Sequence, residues 1–452
     1  MRTELAELAL GIGAVLHGAD ATVAGVSTDS RGIAAGQLFV ALRGERFDGH
    51  EFVAAVASAG AAGAVVDASF ELPAQLPLSL LVVDDTRLAL GRMAAWWRAK
   101  FDLPLIGVTG SNGKTTVKEM CAAILRAQFG DAGVLATVGN LNNDIGMPQM
   151  LLRLNLDHRA AVIEMGMNHP GEIGYLTQIA RPTVALVNNA QRAHLEGMGG
   201  LDAVALEKGE IYAGLGKDGV AVINADDAHA TTWRDMNTQR SVLEFGLGAA
   251  DVQAQFVVSG LGSEVTLRAP QGECRFLLKV PGAHNVRNAA AAAAACLAAG
   301  VPLAAVEEGL SQYVGTKGRL QIRAGENGST VLDDSYNANP DSMRAGVDVL
   351  AMTPGRKLFV FGDMGEIGDR AAQYHDEIGG YAKSQGVDML FALGEHAEVA
   401  ARNFGEGSAH FDSVEALVQA LRRELAPGVV VLVKGSRFMK MERVADAIAL
   451  KD

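Results

Sequence analysis

One run of residues, Gly107-Val-Thr-Gly-Ser-Asn-Gly-Lys-Thr-Thr116, carries the clearest chemical signal in the chain. Glycines at 110 and 113 let the backbone turn so that its amides face phosphate oxygens, and the start of a following helix adds the positive end of its dipole. Lys114 brings a cation to the terminal phosphates, and the hydroxyl of Thr115 suits Mg²⁺. Thr109, Gly110, Ser111, Asn112, Gly113, Lys114, Thr115 and Thr116 are therefore the candidate nucleotide-phosphate residues. The spacing is G-x-x-G-x-x-G-K-T-T, so Val108 stands where the usual G-x-x-x-x-G-K-[ST] loop has glycine. The competing reading is a Gly-rich turn with a chance Gly-Lys-Thr. The buried run at 105–109 before it and the helical pattern after it weigh against that. The loop implies a nucleotide, not a reaction; the Asn-Lys-x-Asp base reader of GTPases does not occur.

Further candidates follow other strand-like runs. Glu164 ends a buried run at 160–163, where an open α/β sheet presents functional groups. His194 follows a run at 184–188, although a lone histidine is more often structural. Lys208 reads on its own as a solvated helix lysine. Asn285 and Asn288 open an Ala-rich helix; their amides donate and accept, as a purine edge requires, and Asn285 could equally cap that helix. Arg31 and Arg43 lie in loops near the N-terminus, where an arginine can meet a phosphate or simply face solvent.

The elements needed to position these groups alternate. Residues 1–98 show short apolar runs at 63–66 and 80–83, with a strand leaving a turn within 36–45, and read as a small mixed α/β unit closed by a helix that ends near Trp96 and Trp97. In the second unit, 99–314, Val117, Met120, Cys121, Ile124 and Leu125 recur at helical spacing after the loop. Strand runs at 160–163, 184–188 and 220–224 imply a mainly parallel sheet. Runs at 253–259 and 264–268 around Gly-Leu-Gly signal a hairpin, and a helix follows at 285–299. In the third unit, 315–452, strands at 330–332, 357–361, 389–393 and 429–433 predict a second open, Rossmann-like sheet. The joints fall near Lys100 and Gly315.

Composition narrows the class. At 452 residues the chain holds about three domains. Asp plus Glu exceed Lys plus Arg by 52 to 39, a net charge of −13, which argues against a nucleic-acid surface. Cys121, Cys274 and Cys296 are far apart and form no CxxC pair, as for free thiols in a reducing compartment. The apolar stretch at 9–16 is short and preceded by Glu4 and Glu7, unlike a signal peptide. The uncharged stretch at 289–306 is mostly alanine and broken by Gly300 and Pro302, so it reads as a buried helix, not a membrane span. A cytoplasmic protein without a transmembrane segment is expected.

Longer strings add a resemblance. Gly139-Asn-Leu-Asn-Asn-Asp-Ile-Gly-Met-Pro148, Glu164-Met-Gly-Met-Asn-His-Pro-Gly-Glu-Ile173, Ala193-His-Leu-Glu-Gly197, Glu207-Lys-Gly-Glu-Ile211, Gly282-Ala-His-Asn-Val-Arg-Asn288 and Asp333-Asp-Ser-Tyr-Asn-Ala-Asn-Pro340 resemble the Mur ligases of peptidoglycan synthesis over essentially the whole chain. The asparagines at 140, 142 and 143 and the string ending at Pro340 resemble the MurF type. The Asp-Asn-Pro-Arg string of the diaminopimelate- or lysine-adding ligases is absent.

That resemblance implies three domains: the first for the UDP end of the substrate, the second for ATP, and a third that closes to deliver an amine. The implied reaction adds D-Ala-D-Ala to UDP-MurNAc-tripeptide through an acyl phosphate, by a monomer. It implies Lys114, His194 and Lys208 as catalytic, and Thr115, Glu164, His194 and Lys208 as ligands of two Mg²⁺ ions, with Lys208 as a carbamylated lysine. Leu206 stands where relatives often have another lysine. The resemblance also implies Arg319 and Asp334, with Asn285 and Asn288, around the nucleotide. Asn337, Asn339 and Asp363 would surround the dipeptide, and Ser27, Ser30, Arg31, Arg43, Asn140, Asn142 and Asn143 the UDP-substrate. Two alternatives are a folylpolyglutamate-synthase-like ligase, which would lack the first unit, and a P-loop ATPase switch acting on a protein partner.

Overall fold

A computed structural model describes residues 1–71, 76–192 and 199–450. His194 lies outside the described residues.

Three sheets organise the chain. The first has the order Val15–His17, Ser79–Val83, Gly63–Asp67, Leu38–Val40, Val26–Ser27, parallel except where Val15–His17 meets Ser79–Val83. Helix Thr86–Arg98 follows, capped by Asp85, whose carboxylate accepts from the amides of Arg87 and Leu88. Its apolar face packs on helices Gly146–Leu151 and Glu172–Ala180 of the second unit. A single hydrophobic core thus runs from Leu5 and Leu8 through Met93 and Trp97 to Met147 and Leu176. The joint is pinned further. Trp97 Nε1 donates to the Leu154 carbonyl at 2.9 Å. The buried Arg98 guanidinium donates to the carbonyls of Ala180 and Phe101. Arg98→Ala would leave those carbonyls buried without a charged donor, so a loss of about 2 kcal/mol in denaturant unfolding is expected; a loss under about 0.5 kcal/mol would show that the joint does not depend on it.

The second sheet has nine strands. Its order is Val134–Ala136, Ala160–Glu164, Leu105–Thr109, Val184–Val187, Val220–Asn224, Ser241–Gly246, Val252–Ser259, Gly262–Ala269, Gly272–Leu278. The pairs are parallel up to Val252–Ser259 and antiparallel beyond it. The expected hairpin is present, turning at Gly260 and Leu261, but a third strand extends it. Leu105–Thr109 is central and wholly buried. Its carboxyl end lies where the chain departs to strands on either side, the position at which open α/β sheets bind ligands. Helix Lys114–Phe129 packs on helices Ala283–Ala298 and Leu303–Gln312. Alanine dominates Ala283–Ala298 because that helix is enclosed on nearly every side. At Gly309 a Cβ would fall 2.5 Å from Ile124 Cα, so only glycine permits that helix approach. Among the described residues no helix is long and apolar enough to cross a membrane, and the three cysteines are free and buried.

The third sheet runs Gln321–Ala324, Thr330–Asp334, Val429–Lys434, Arg356–Gly362, Met389–Leu393, Ser408–Phe411. Only the first pair is antiparallel. Gly315 and Gly318, in the connection to this sheet, have φ of 99° and 71°.

Candidate active site

The phosphate loop hangs between the carboxyl ends of Leu105–Thr109 and Val184–Val187. Gly113 has φ 78° and starts helix Lys114–Phe129; a Cβ there would lie 2.6 Å from both Asn188 Nδ2 and Asn288 Oδ1. Residues after the neighbouring strand hold the loop. Asn112 N donates to Asn189 Oδ1 (2.8 Å), Asn188 Nδ2 to the Asn112 carbonyl (2.9 Å), and Ser111 Oγ to the Gln191 carbonyl (3.1 Å). Lys114 Nζ folds back to the carbonyls of Gly110 and Ser111 at 2.7 and 3.2 Å. Burial lowers its pKa, with Glu164 opposing and Arg319 adding to the shift. The Thr109 hydroxyl is buried and donates to the Met165 carbonyl, so it supports the strand end.

Asparagines continue the network toward the Ala-rich helix. Asn188 Nδ2 also donates to Asn288 Oδ1, Asn288 Nδ2 to Asn285 Oδ1, and Asn285 Nδ2 to the Pro281 carbonyl. Asn285 is therefore no N-cap; Gly282 holds that position. The third unit closes the opposite wall. Arg319 Nη2 donates to Thr115 Oγ1 at 3.0 Å, while its guanidinium stacks on Tyr336. Asn339 caps helix Pro340–Met352 and donates through Nδ2 to Asn112 Oδ1 at 2.8 Å. Asp334 pairs with Lys434 at 2.6 Å, yet burial raises its pKa. Between the walls is a cavity of about 530 Å³. It gathers Ser111, Asn112, Gly113, Lys114, Thr115, Thr116, Asn285, Asn288, Arg319, Asp334, Asn337 and Asn339 from the candidates above.

Three family descriptions match the chain: "Mur ligase family, catalytic domain" over residues 22–98, "Mur ligase middle domain" over 108–296, and "Mur ligase, glutamate ligase domain" over 318–437. The UDP-N-acetylmuramoyl-tripeptide–D-alanyl-D-alanine ligase of Escherichia coli K12 is 44% identical over 96% of this chain and 95% of its own. The chain belongs to the Mur ligase family, in its MurF type. Among solved structures, MurF from Acinetobacter baumannii aligns with a TM-score of 0.92 at 37% identity, covering 99% of each chain. The MurF ligase of Thermotoga maritima in complex with ADP aligns at 0.83 and 26% identity, over 94% of this chain and 96% of that one. The family makes this chain an ATP-dependent ligase.

In this Mur ligase Glu164 is buried at the end of Ala160–Glu164. Its Oε1 accepts from Asn142 Nδ2 at 2.7 Å; its Oε2 is buried with no hydrogen-bond partner among the described residues. A bare carboxylate oxygen beside the phosphate loop fits a hard cation that takes one or two protein oxygens and completes its shell with phosphate and water. Lys208, on helix Leu201–Gly209, is 1% exposed, so it is no solvated helix lysine. Burial drives its pKa well down, Lys114 pushes it further and Glu207 opposes. Glu207 itself is occupied, accepting from the amides of Gly171 and Ile173.

Other expected residues lie apart from the cavity. Asp363 does not line it. Its Oδ1 accepts from the Ala397 amide at 2.7 Å at the start of helix Ala397–Phe404. In the first unit, Arg31 is paired with Asp29, and Arg43 is shared between Asp48 and Asp67; both guanidiniums already have carboxylate partners. Ser27 Oγ donates to the Asp29 carbonyl, and Ser30 opens the short turn Ser30–Gly32. Asn140 is exposed, Asn143 caps the turn before helix Gly146–Leu151, and Asn142 holds Glu164.

The sequence reading missed Asn188, Asn189 and Gln191, which brace the loop. It also missed His284, Lys434 and Arg437, which line the cavity. The position of Asn188 at a strand's carboxyl end was the available signal for the first group. His284 is pushed down to about 4 by burial, aided by Lys434 and Arg287, and so is neutral at physiological pH.

Proposed function

We propose that this Mur ligase joins D-Ala-D-Ala to UDP-MurNAc-tripeptide at the expense of ATP, in the cytoplasm and as a monomer. The observation that carries the reading is one cavity walled on one side by a phosphate loop and on the other by Arg319, Asp334 and Asn339. Residues 1–98, 99–314 and 315–452 would act as the UDP-substrate, ATP and dipeptide domains, with a hinge near Gly315–Gly318.

A carboxylate is a poor electrophile, so it must first acquire a leaving group. An oxygen of the tripeptide's terminal carboxylate attacks the γ-phosphorus, the bond to the bridging oxygen breaks, and ADP leaves. The dipeptide's amine nitrogen then attacks the acyl carbon and loses a proton. Collapse of the tetrahedral intermediate expels phosphate and leaves an amide. The first step brings like charges together. Lys114, freed from the Gly110 and Ser111 carbonyls, can follow the moving phosphoryl group, and the loop amides meet its oxygens. Arg319, released from Thr115, supplies a second cation from the other wall. Asn285 and Asn288 suit the adenine edge, and Asp334 suits a ribose hydroxyl.

Thr115 and Glu164 would hold Mg²⁺, with His194 and Lys208, as its carbamate, completing a second site; the bound metal would neutralise charge on the phosphates. The Lys208 carbamate is supported by burial that favours the neutral amine, the form that takes up carbon dioxide. The UDP end would lie along the loops carrying Ser27, Ser30, Arg31, Arg43, Asn140 and Asn143. Arg31 or Arg43 would have to exchange a carboxylate for a phosphate.

Phosphate release is expected only when UDP-MurNAc-tripeptide and D-Ala-D-Ala are both present with ATP, and single amino acids should not replace the dipeptide. Glutamate-dependent turnover would favour the folylpolyglutamate-synthase-like reading, and rapid hydrolysis of ATP alone would favour a switch.

A further inference from the structure

Arg192 follows strand Val184–Val187 on the second unit, yet its side chain ends on the third. Its Nε and Nη2 donate to Asp341 Oδ1 at 2.9 and 2.6 Å, and its backbone amide donates to Asp341 Oδ2 at 2.8 Å. Its Nη1 lies 3.3 Å from Glu377, and its guanidinium carbon 5.5 Å from the centre of the Tyr374 ring. Asp341 belongs to the first turn of helix Pro340–Met352, while Tyr374 and Glu377 lie on helix Ala371–Ser384. One residue of the second unit therefore grips two helices of the third.

The two other bonds described across the cavity differ in kind. Arg319–Thr115 and Asn112–Asn339 use groups that also line the cavity. In the Arg192–Asp341 pair only Asp341 lines the cavity, so the guanidinium side of this pair lies outside the space a nucleotide would fill. Contact from both the backbone and the side chain of one residue to a single carboxylate fixes angle as well as distance.

We propose that Arg192 is a positioning residue that, with Asp341, latches the third unit over the phosphate loop and sets how much of the free protein is closed. The kinetic consequence rests on the ligase reading; the latch itself does not. Losing the latch lowers the fraction of closed protein, and apparent affinity for ligands that bind the closed form falls by that fraction. The guanidinium and both carboxylates are about a quarter exposed, so salt should weaken the latch in part.

Labels on Lys217→Cys in the second unit and Arg402→Cys in the third report the distance by double electron–electron resonance, in the absence of any substrate. Both positions are exposed and the native thiols are buried. Arg192→Gln should lengthen and broaden the distance distribution, Arg192→Lys should do so less, and Arg192→Gln/Asp341→Asn should add little to either single change. High salt should shift the parent protein toward the Arg192→Gln distribution. In turnover, Arg192→Gln should raise the KM for the dipeptide roughly five- to tenfold with kcat within about twofold. An unchanged distribution in Arg192→Gln, or additive effects in the double variant, would overturn the latch. Because the distance needs no substrate, failure of the ligase reading would show separately, as absent turnover in the parent protein.

Discussion

Lys114→Ala is expected to lower kcat by about a thousandfold or more, equivalent to about 4 kcal/mol of transition-state stabilisation. In the ligand-free chain Lys114 Nζ rests on the carbonyls of Gly110 and Ser111. Those bonds are local and weak beside what the cation gains against a phosphoryl group in transit. Its neighbours sharpen the effect. Glu164 lies close enough to oppose the lowering of its pKa, so removal of the ammonium leaves a buried carboxylate facing phosphate oxygens with less positive charge between them. The fold should survive, because the loop is braced independently by Asn188, Asn189 and Gln191. Single-turnover rates on a variant with unchanged unfolding behaviour are the check. A rate within about tenfold of the parent would mean that the loop does not carry phosphoryl transfer.

The second large effect is expected at Lys208. A lysine buried to 1% exposure beside Lys114 is a poor place for an ammonium, and a free ammonium would repel a metal. A carbamate exchanges that cation for an anion with two hard oxygens. Lys208→Ala should therefore lose at least about a hundredfold in kcat, and Lys208→Arg should fail to rescue it, because conserved positive charge is the wrong property. Acetate or another small carboxylate should partly restore the alanine variant. Mass spectrometry of the native, carbonate-equilibrated protein should find the added mass on Lys208. An unmodified lysine together with an active Lys208→Arg enzyme would end the assignment.

What could be read from the sequence followed the range of the interaction. The phosphate loop was legible because strand, glycines, lysine and helix are contiguous, and the run at 105–109 is a buried strand of the sheet. The strand Gly272–Leu278 was not singled out, since Gly272 breaks the apolar alternation just where the antiparallel extension turns again. Asp363 directly follows a strand and Glu164 ends one, so the two look alike in sequence. What separates them is distant: the Ala397 amide, 34 residues on, consumes one carboxylate, while Glu164 Oε2 remains bare. The pairing of Arg43 was hidden for the same reason, since Asp67 is 24 residues away in sequence. Asn188 was passed over because its role is to contact three other segments, none adjacent to it.

The central claim, that a substrate carboxylate is activated by phosphorylation, is tested most directly with UDP-MurNAc-tripeptide labelled with ¹⁸O in its terminal carboxylate. The attacking oxygen becomes the bridge of the acyl phosphate and departs with phosphorus when the dipeptide's amine displaces it. After complete reaction with ATP and D-Ala-D-Ala in unlabelled water, mass spectrometry should find one ¹⁸O in each phosphate released and one retained in the new amide. Phosphate free of label, with both labelled oxygens still in the tripeptide, would show that water attacks the nucleotide and would contradict the account.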